Sequence, residues 1–187
     1  MRKSLFAAAL AGAAFSAAAF AGTDLRLASF TALNVHSGAH ATLRYGKVQR
    51  VTVIKGDLKK ARIEVHGKSL DISGCEGFCI GQADLEVEIS APSVAALKAH
   101  SGGAITANGT FPKQSHLDVE AHSGGAVDAD AIPADAVTAT AHSGGSVRVK
   151  ALSALNASAN SGGAIAYTGH PVHIESHGNS GGSIAGQ

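Results

Sequence analysis

His122-Ser-Gly-Gly-Ala-Val127 is the stretch on which the reading of this 187-residue chain turns. The same phrase starts at His100 and His142, and with Asn in place of His at Asn160 and Asn179. A variant, His36-Ser-Gly-Ala39, lies near the start. Successive copies from His100 onward begin 22, 20, 18 and 19 residues apart. A period near 20 points to a repeat architecture with one supersecondary unit per copy. Around His122 the odd positions are Leu117, Val119, Ala121, Ser123, Gly125 and Val127, and the even ones include Asp118, Glu120, His122 and Asp128. Alternation with period two means strand, with the odd set facing a core. Leu97, Ala99 and Ile105, then Val137, Ala139, Ala141 and Val147, then Leu155, Ala157, Ala159 and Ile165 repeat it. A helical repeat fits poorly, because a Gly-Gly pair costs a helix roughly 2 kcal/mol against Ala.

The expectation is an all-β chain folded as a single-stranded parallel β-helix, a β-solenoid with about 20 residues per coil. The Gly-Gly pair would turn a corner and let neighbouring coils stack closely. The expected corners are Ser101-Gly102-Gly103, Ser123-Gly124-Gly125, Ser143-Gly144-Gly145, Ser161-Gly162-Gly163 and Ser180-Gly181-Gly182. Parity sends the five Ser side chains inward. It sends His100, His122 and His142, with Asn160 and Asn179, outward as a ladder. The inward set is mostly Ala, Val, Leu and Ile, which suits a narrow core of coils about 4.8 Å apart.

These phrases resemble the putative auto-transporter adhesin, head GIN domain family of bacterial envelope proteins. So do Tyr167-Thr-Gly-His-Pro171, Asn179-Ser-Gly-Gly-Ser-Ile184, the early Val35-His-Ser-Gly38 and Leu70-Asp-Ile72. The resemblance spans nearly all of the chain after the leader. It implies a right-handed β-helix and an adhesion-type role, and it carries no catalytic residues across.

At the N-terminus, Met1-Arg2-Lys3 precedes an Ala-rich apolar run to Phe20, and Ala19-Phe20-Ala21 is an A-x-A site. This is the pattern of a secretory signal peptide over residues 1–21, cut between Ala21 and Gly22. The remaining 22–187 read as one domain. Without Arg2 and Lys3, the 15 Lys plus Arg fall to 13 against 14 Asp plus Glu, a net charge of −1 with His neutral. That is no electrostatic case for nucleic acid or for a polybasic membrane anchor. No later apolar run is long enough for a transmembrane helix. Residues 25–90 carry alternating pairs such as Val51 and Val53, Ile63 and Val65, and Leu70 and Ile72, with turns at Gly46, Gly56 and Gly67. They read as further coils of the same solenoid with a modified first coil as cap. Cys75 and Cys79 are the two cysteines, and in an exported chain an even pair reads as a disulfide.

The 10 histidines are the feature that could carry chemistry. His100, His122 and His142, with His36, share one repeat position. Rings on adjacent coils could lean together on Zn²⁺ or Cu²⁺. Asn160 and Asn179 stand at the same position, which equally suits a plain solvent-facing ladder. Protonation would set like charges close together, so the neutral forms are favoured. No cofactor is indicated. Calcium-roll and phosphate-loop motifs are missing. Neighbouring residues of a strand face opposite ways, so His122 is not expected to serve Ser123 as a base. Asp118, Glu120, Asp128, Asp130 and Asp135 are not repeated in register on the other coils, as a glycan-cleaving groove would need. The chain therefore reads as a non-enzymatic, exported binding module of a Gram-negative-type envelope, periplasmic or at the cell surface, meeting a glycan or protein. The alternatives are a structural or assembly protein that stacks end to end through its last coil, or a periplasmic metal binder.

Overall fold

The computed structural model describes residues 22–75 and 84–187, and every regular element among them is a β-strand. The signal-peptide reading of residues 1–21 and the expected partner Cys79 lie outside the described residues.

The first half of the chain carries short strands. They are β1 (Thr23–Leu25), β2 (Ala32–His36), β3 (His40–Tyr45), β4 (Arg50–Lys55), β5 (Arg62–His66), β6 (Ser69–Ser73) and β7 (Glu86–Ala91). The second half adds β8 (Ala96–His100), β9 (Ala104–Asn108), β10 (Gln114–His122), β11 (Ala126–His142), β12 (Ser146–Asn160), β13 (Ala164–Thr168), β14 (His173–Asn179) and β15 (Ser183–Gly186). All 15 join one sheet of mixed direction, curled over a shared core.

This architecture overturns the expected single-stranded parallel β-helix. β1 runs antiparallel to β4, β4 antiparallel to β7, and β5 antiparallel to β6. β2 lies between β6 and β8, and β3 between β7 and β9, so chain order is not row order. Residues 25–90 are thus not further coils of a uniform solenoid. The physical reason is that alternation fixes which face a residue takes and says nothing of strand direction. Direction is set by the connections. His66 pairs Ser69 across the two-residue loop Gly67-Lys68, with Gly67 at φ 63°, and this tight return makes an antiparallel hairpin.

Parallel pairing does govern the second half. β8, β10, β11, β12 and β14 lie side by side in register, and so do β9, the first part of β11, the first part of β12, β13 and β15. β11 and β12 are long because each crosses from one group to the other. The interior is apolar apart from the buried Ser73 at the end of β6. Leu33, Leu43, Leu70, Ile72, Leu97, Ile105 and Leu117 are fully enclosed, and Ala99, Ala121, Ala139, Ala141, Ala157 and Ala159 fill the narrow part beside the turns.

Each Ser-Gly-Gly phrase makes a tight turn between strands. Gly125 N donates to His122 O at 2.8 Å, and Gly145 N to His142 O at 2.9 Å. Between them Ser123 has φ 48° and Gly124 φ 74°, with Ser143 at 50° and Gly144 at 74°. Two successive positive φ values are the signature of a type I′ turn. Neighbouring turns are tied together, as Gly124 N donates to Ser143 O at 3.2 Å.

This geometry corrects the inward placement of the serines. Ser101, Ser123, Ser143, Ser161 and Ser180 are exposed, because the left-handed pair swings the chain outward at the Ser. The second glycine takes the inward place instead. A Cβ on Gly125 would lie 2.3 Å from Ala99 O, and one on Gly145 2.2 Å from Ala121 O. Here glycine is required for the backbone of one row to reach the next.

Candidate functional site: the histidine column

The turns hold one side chain from each row at the same height, just before the corner. His100 pairs with His122, His122 with His142, His142 with Asn160, and Asn160 with Asn179. At the other end His36 pairs with Ser73. The result is a continuous polar column across seven strands, buried at Ser73, half-buried from His36 to Asn160 and exposed at Asn179. His36 and His100 stack with ring centroids 4.9 Å apart and planes 2° from parallel. His122 and His142 stack at 5.1 Å and 7°. These spacings are the strand spacing itself, so the sheet imposes them.

A second polar column runs two residues earlier, and the two columns are wired together at one end. Asn34 Nδ2 donates to Asp71 Oδ2 at 2.6 Å, which leaves Asn34 Oδ1 to accept from His100 Nε2 at 2.8 Å. His36 Nε2 donates to Asp71 Oδ1 at 2.9 Å. With that nitrogen protonated, His36 Nδ1 is the acceptor for the Ser37 hydroxyl at 3.1 Å. Asp71 therefore organises Asn34, His36 and, through Asn34, His100. In the next rows Lys98 Nζ and Glu120 Oε2 pair at 3.0 Å, with His122 Nε2 4.0 Å from the same carboxylate oxygen. A groove of about 460 Å³ opens at the Asp71 end, lined by His36, Ser37, Arg62, His66, Asp71 and Ser73.

Burial pulls the His100 imidazole below its ordinary value of 6.5, helped by the neighbouring charges of His36 and His122 and opposed by Asp71.

The metal reading named His100, His122 and His142. The column makes them neighbours, but His122 and His142 lie face to face, and His100 faces His36. Stacked rings carry their nitrogen lone pairs side by side, whereas a tetrahedral metal needs lone pairs that converge. His100 Nε2 is engaged with Asn34, and no group of three His, Cys, Asp or Glu among the described residues is placed to hold a metal ion. Cys75 follows β6 at the edge of the groove.

The serine reading also changes at one place. Ser37 stands at φ 54°, and this turns its hydroxyl back onto His36, so adjacent residues do meet there. The Ser37–His36–Asp71 chain has the connectivity of a nucleophile relay. Beside it, however, Gly38 N donates to Ser101 O at 3.2 Å, so this backbone donor is not turned toward Ser37 to hold an oxyanion. The hydrogen bonds of this chain tie β2 to β6. Asn34 and Asp71 were not singled out from the sequence. Their signal was the polar residue in each of Leu33-Asn34-Val35 and Leu70-Asp71-Ile72, two matching phrases that align only once β2 and β6 are known to pair.

The family described as putative auto-transporter adhesin, head GIN domain matches this sequence over residues 29–116 and 113–171. The chain belongs to that family. The matched residues include every histidine of the column and the Asp71 network, and all but the last of the Ser-Gly-Gly turns. No curated protein matches. Among solved structures, the chain is similar to a putative adhesin from Bacteroides fragilis, at 14% identity and TM-score 0.49, covering 89% of this chain and 96% of that one. It is also similar to a putative adhesin from Parabacteroides merdae, at 12% identity and TM-score 0.40, covering 89% and 95%. A third, a putative lipid binding protein from Parabacteroides distasonis, has 12% identity and TM-score 0.38, covering 87% and 95%. At these scores the three likenesses carry no argument about role.

Proposed function

We propose that this head GIN domain protein is an exported, non-enzymatic binding module of the bacterial cell envelope, whose polar outer face meets a glycan or protein ligand. The observation that carries the reading is the family match, which runs through both halves of the sheet. Three further features support it. Residues 1–21 have the composition of a signal peptide. No helix among the described residues is long and apolar enough to cross a membrane. The outer face is laid out in columns of polar side chains at strand spacing, a regular array suited to extended ligands rather than to a single reacting bond. The polar groups nearest a catalytic arrangement, Ser37, His36 and Asp71, are spent on holding β2 against β6.

The test is protease accessibility on intact cells, with an epitope after Gln187 and a periplasmic protein as control. Loss of the epitope while the control survives is the expected result. Protection until the outer membrane is opened would put the protein inside the envelope and remove the surface-adhesion reading.

A further inference from the structure

On the other group of parallel strands, away from the histidine column, the register of β11 against β12 breaks. Ala129 pairs with Val149, but the next pair is Pro133 with Lys150, so Asp130, Ala131 and Ile132 form a bulge. Bulges re-aim side chains and open a sheet locally. Here the bulge faces the turn after β9, where Gly109 has φ 90° and Phe111 N donates to Ala131 O at 3.4 Å. Between them lies a groove of about 500 Å³. Its polar lining is Asn108, Thr110, Asp128, Asp130, Arg148 and Lys150.

The charges in this groove are unevenly used. Asp130 accepts from the Thr168 hydroxyl, and Asp128 Oδ1 accepts from Asp130 N at 3.2 Å. Arg148 and Lys150, two residues apart on β12, form no ion pair among the described residues, although Asp128 is the row neighbour of Arg148. Other basic side chains of the sheet are paired, Arg44 with Glu88 and Lys55 with Asp84. Two uncommitted cations side by side are a carboxylate site, since guanidinium and ammonium groups bind an anionic oxygen by charge-assisted hydrogen bonds. Asn108, Thr110 and the free oxygens of Asp128 and Asp130 supply the donors and acceptors that sugar hydroxyls require.

We propose that this groove binds an acidic oligosaccharide, with a uronate carboxylate on Arg148 and Lys150 and neighbouring hydroxyls on Asn108, Thr110 and Asp128. This rests on the binding-module reading and names its ligand class and site. The test is titration calorimetry on the secreted chain with trigalacturonate, and with maltotriose as the neutral counterpart. The variants are Arg148→Gln/Lys150→Gln and, on β4 outside the groove, Lys55→Gln. The expected result is binding of trigalacturonate but not maltotriose, weakened about tenfold or more by the double substitution, unchanged by Lys55→Gln, and reduced by added salt. Equal binding by the double variant, equal binding of maltotriose, or no heat with trigalacturonate at millimolar concentration would each overturn the proposal. Circular dichroism establishes that the variants are folded. The envelope reading is judged separately by protease accessibility, so an exposed protein that ignores trigalacturonate would sink the groove proposal alone.

Discussion

The two halves of the sheet solve the same problem in different ways. From β8 onward, each row reverses through Ser-Gly-Gly and lies parallel to the row before, and the backbones meet so closely that Gly103, Gly125, Gly145 and Gly163 have no room for a Cβ. Between β4 and β7 the chain reverses through looser or tighter returns and pairs antiparallel, and Gly67 meets nothing within 4 Å of an added Cβ. The second glycine of each Ser-Gly-Gly phrase is required by space, whereas Gly67 is required by conformation alone. The comparison teaches that the repeat is a packing device, in which each copy is specified by the row beneath it.

That contrast is sharpest at single glycines. Gly145→Ala drives a Cβ to 2.2 Å from Ala121 O, backbone against backbone, where neither side can yield without parting the rows. The expected loss is about 4 kcal/mol or more, read as a shift in the urea midpoint. Gly67→Ala meets only the cost of a left-handed φ of 63°, about 1–2 kcal/mol. Equal losses at the two sites would break the comparison.

The next effect concerns the core. Leu117 is fully buried between the rows of β8 and β11, and Leu117→Ala should cost about 2–5 kcal/mol. Ile63 lies on β5, which pairs with β6 alone and is only partly covered. Ile63→Ala should cost less, about 1–2 kcal/mol. If Ile63→Ala proved the more damaging in denaturant melts, the antiparallel edge would be carrying more of the stability than its burial implies.

The sequence discloses one half far better than the other, for a physical reason. Period-two alternation identified Leu97, Ala99, Leu117, Val119, Ala139 and Ala157 as inward, and all are buried. The repeat spacing put His100, His122 and His142 in one column, where the register holds them. Neither signal carries strand direction, so the parallel stack was extended over residues 25–90 where hairpin returns reverse the chain. The serines were misplaced for a similar reason, because alternation assumes extended backbone and φ near 50° breaks it for one residue. Parity then resumes at the second glycine. Asp71 and His36 are 35 residues apart, and only the pairing of β2 with β6 brings them to 2.9 Å.

The smallest effect joins the two halves. His100 belongs to the parallel stack, while Asn34 and Asp71, which hold it, come from the N-terminal strands. Burial, then the charges of His36 and His122, lower its folded pKa, and Asp71 works against them. The unfolded chain therefore takes up this proton first as pH falls through about 6.5. Stability is complete above that pH, declines from there until the folded state also binds the proton, and changes no further below it on this account. His100→Asn places there the residue that Asn160 and Asn179 supply in later rows, and it removes the titration while leaving the column filled. Thermal melts of both proteins from pH 8 to pH 5 share the losses due to every other titrating group. The wild type should lose more than the variant, with the difference opening below about pH 6.5. Superimposable pH profiles would mean that Asp71 compensates fully, so that the N-terminal clasp cancels the electrostatic cost of stacking the histidines.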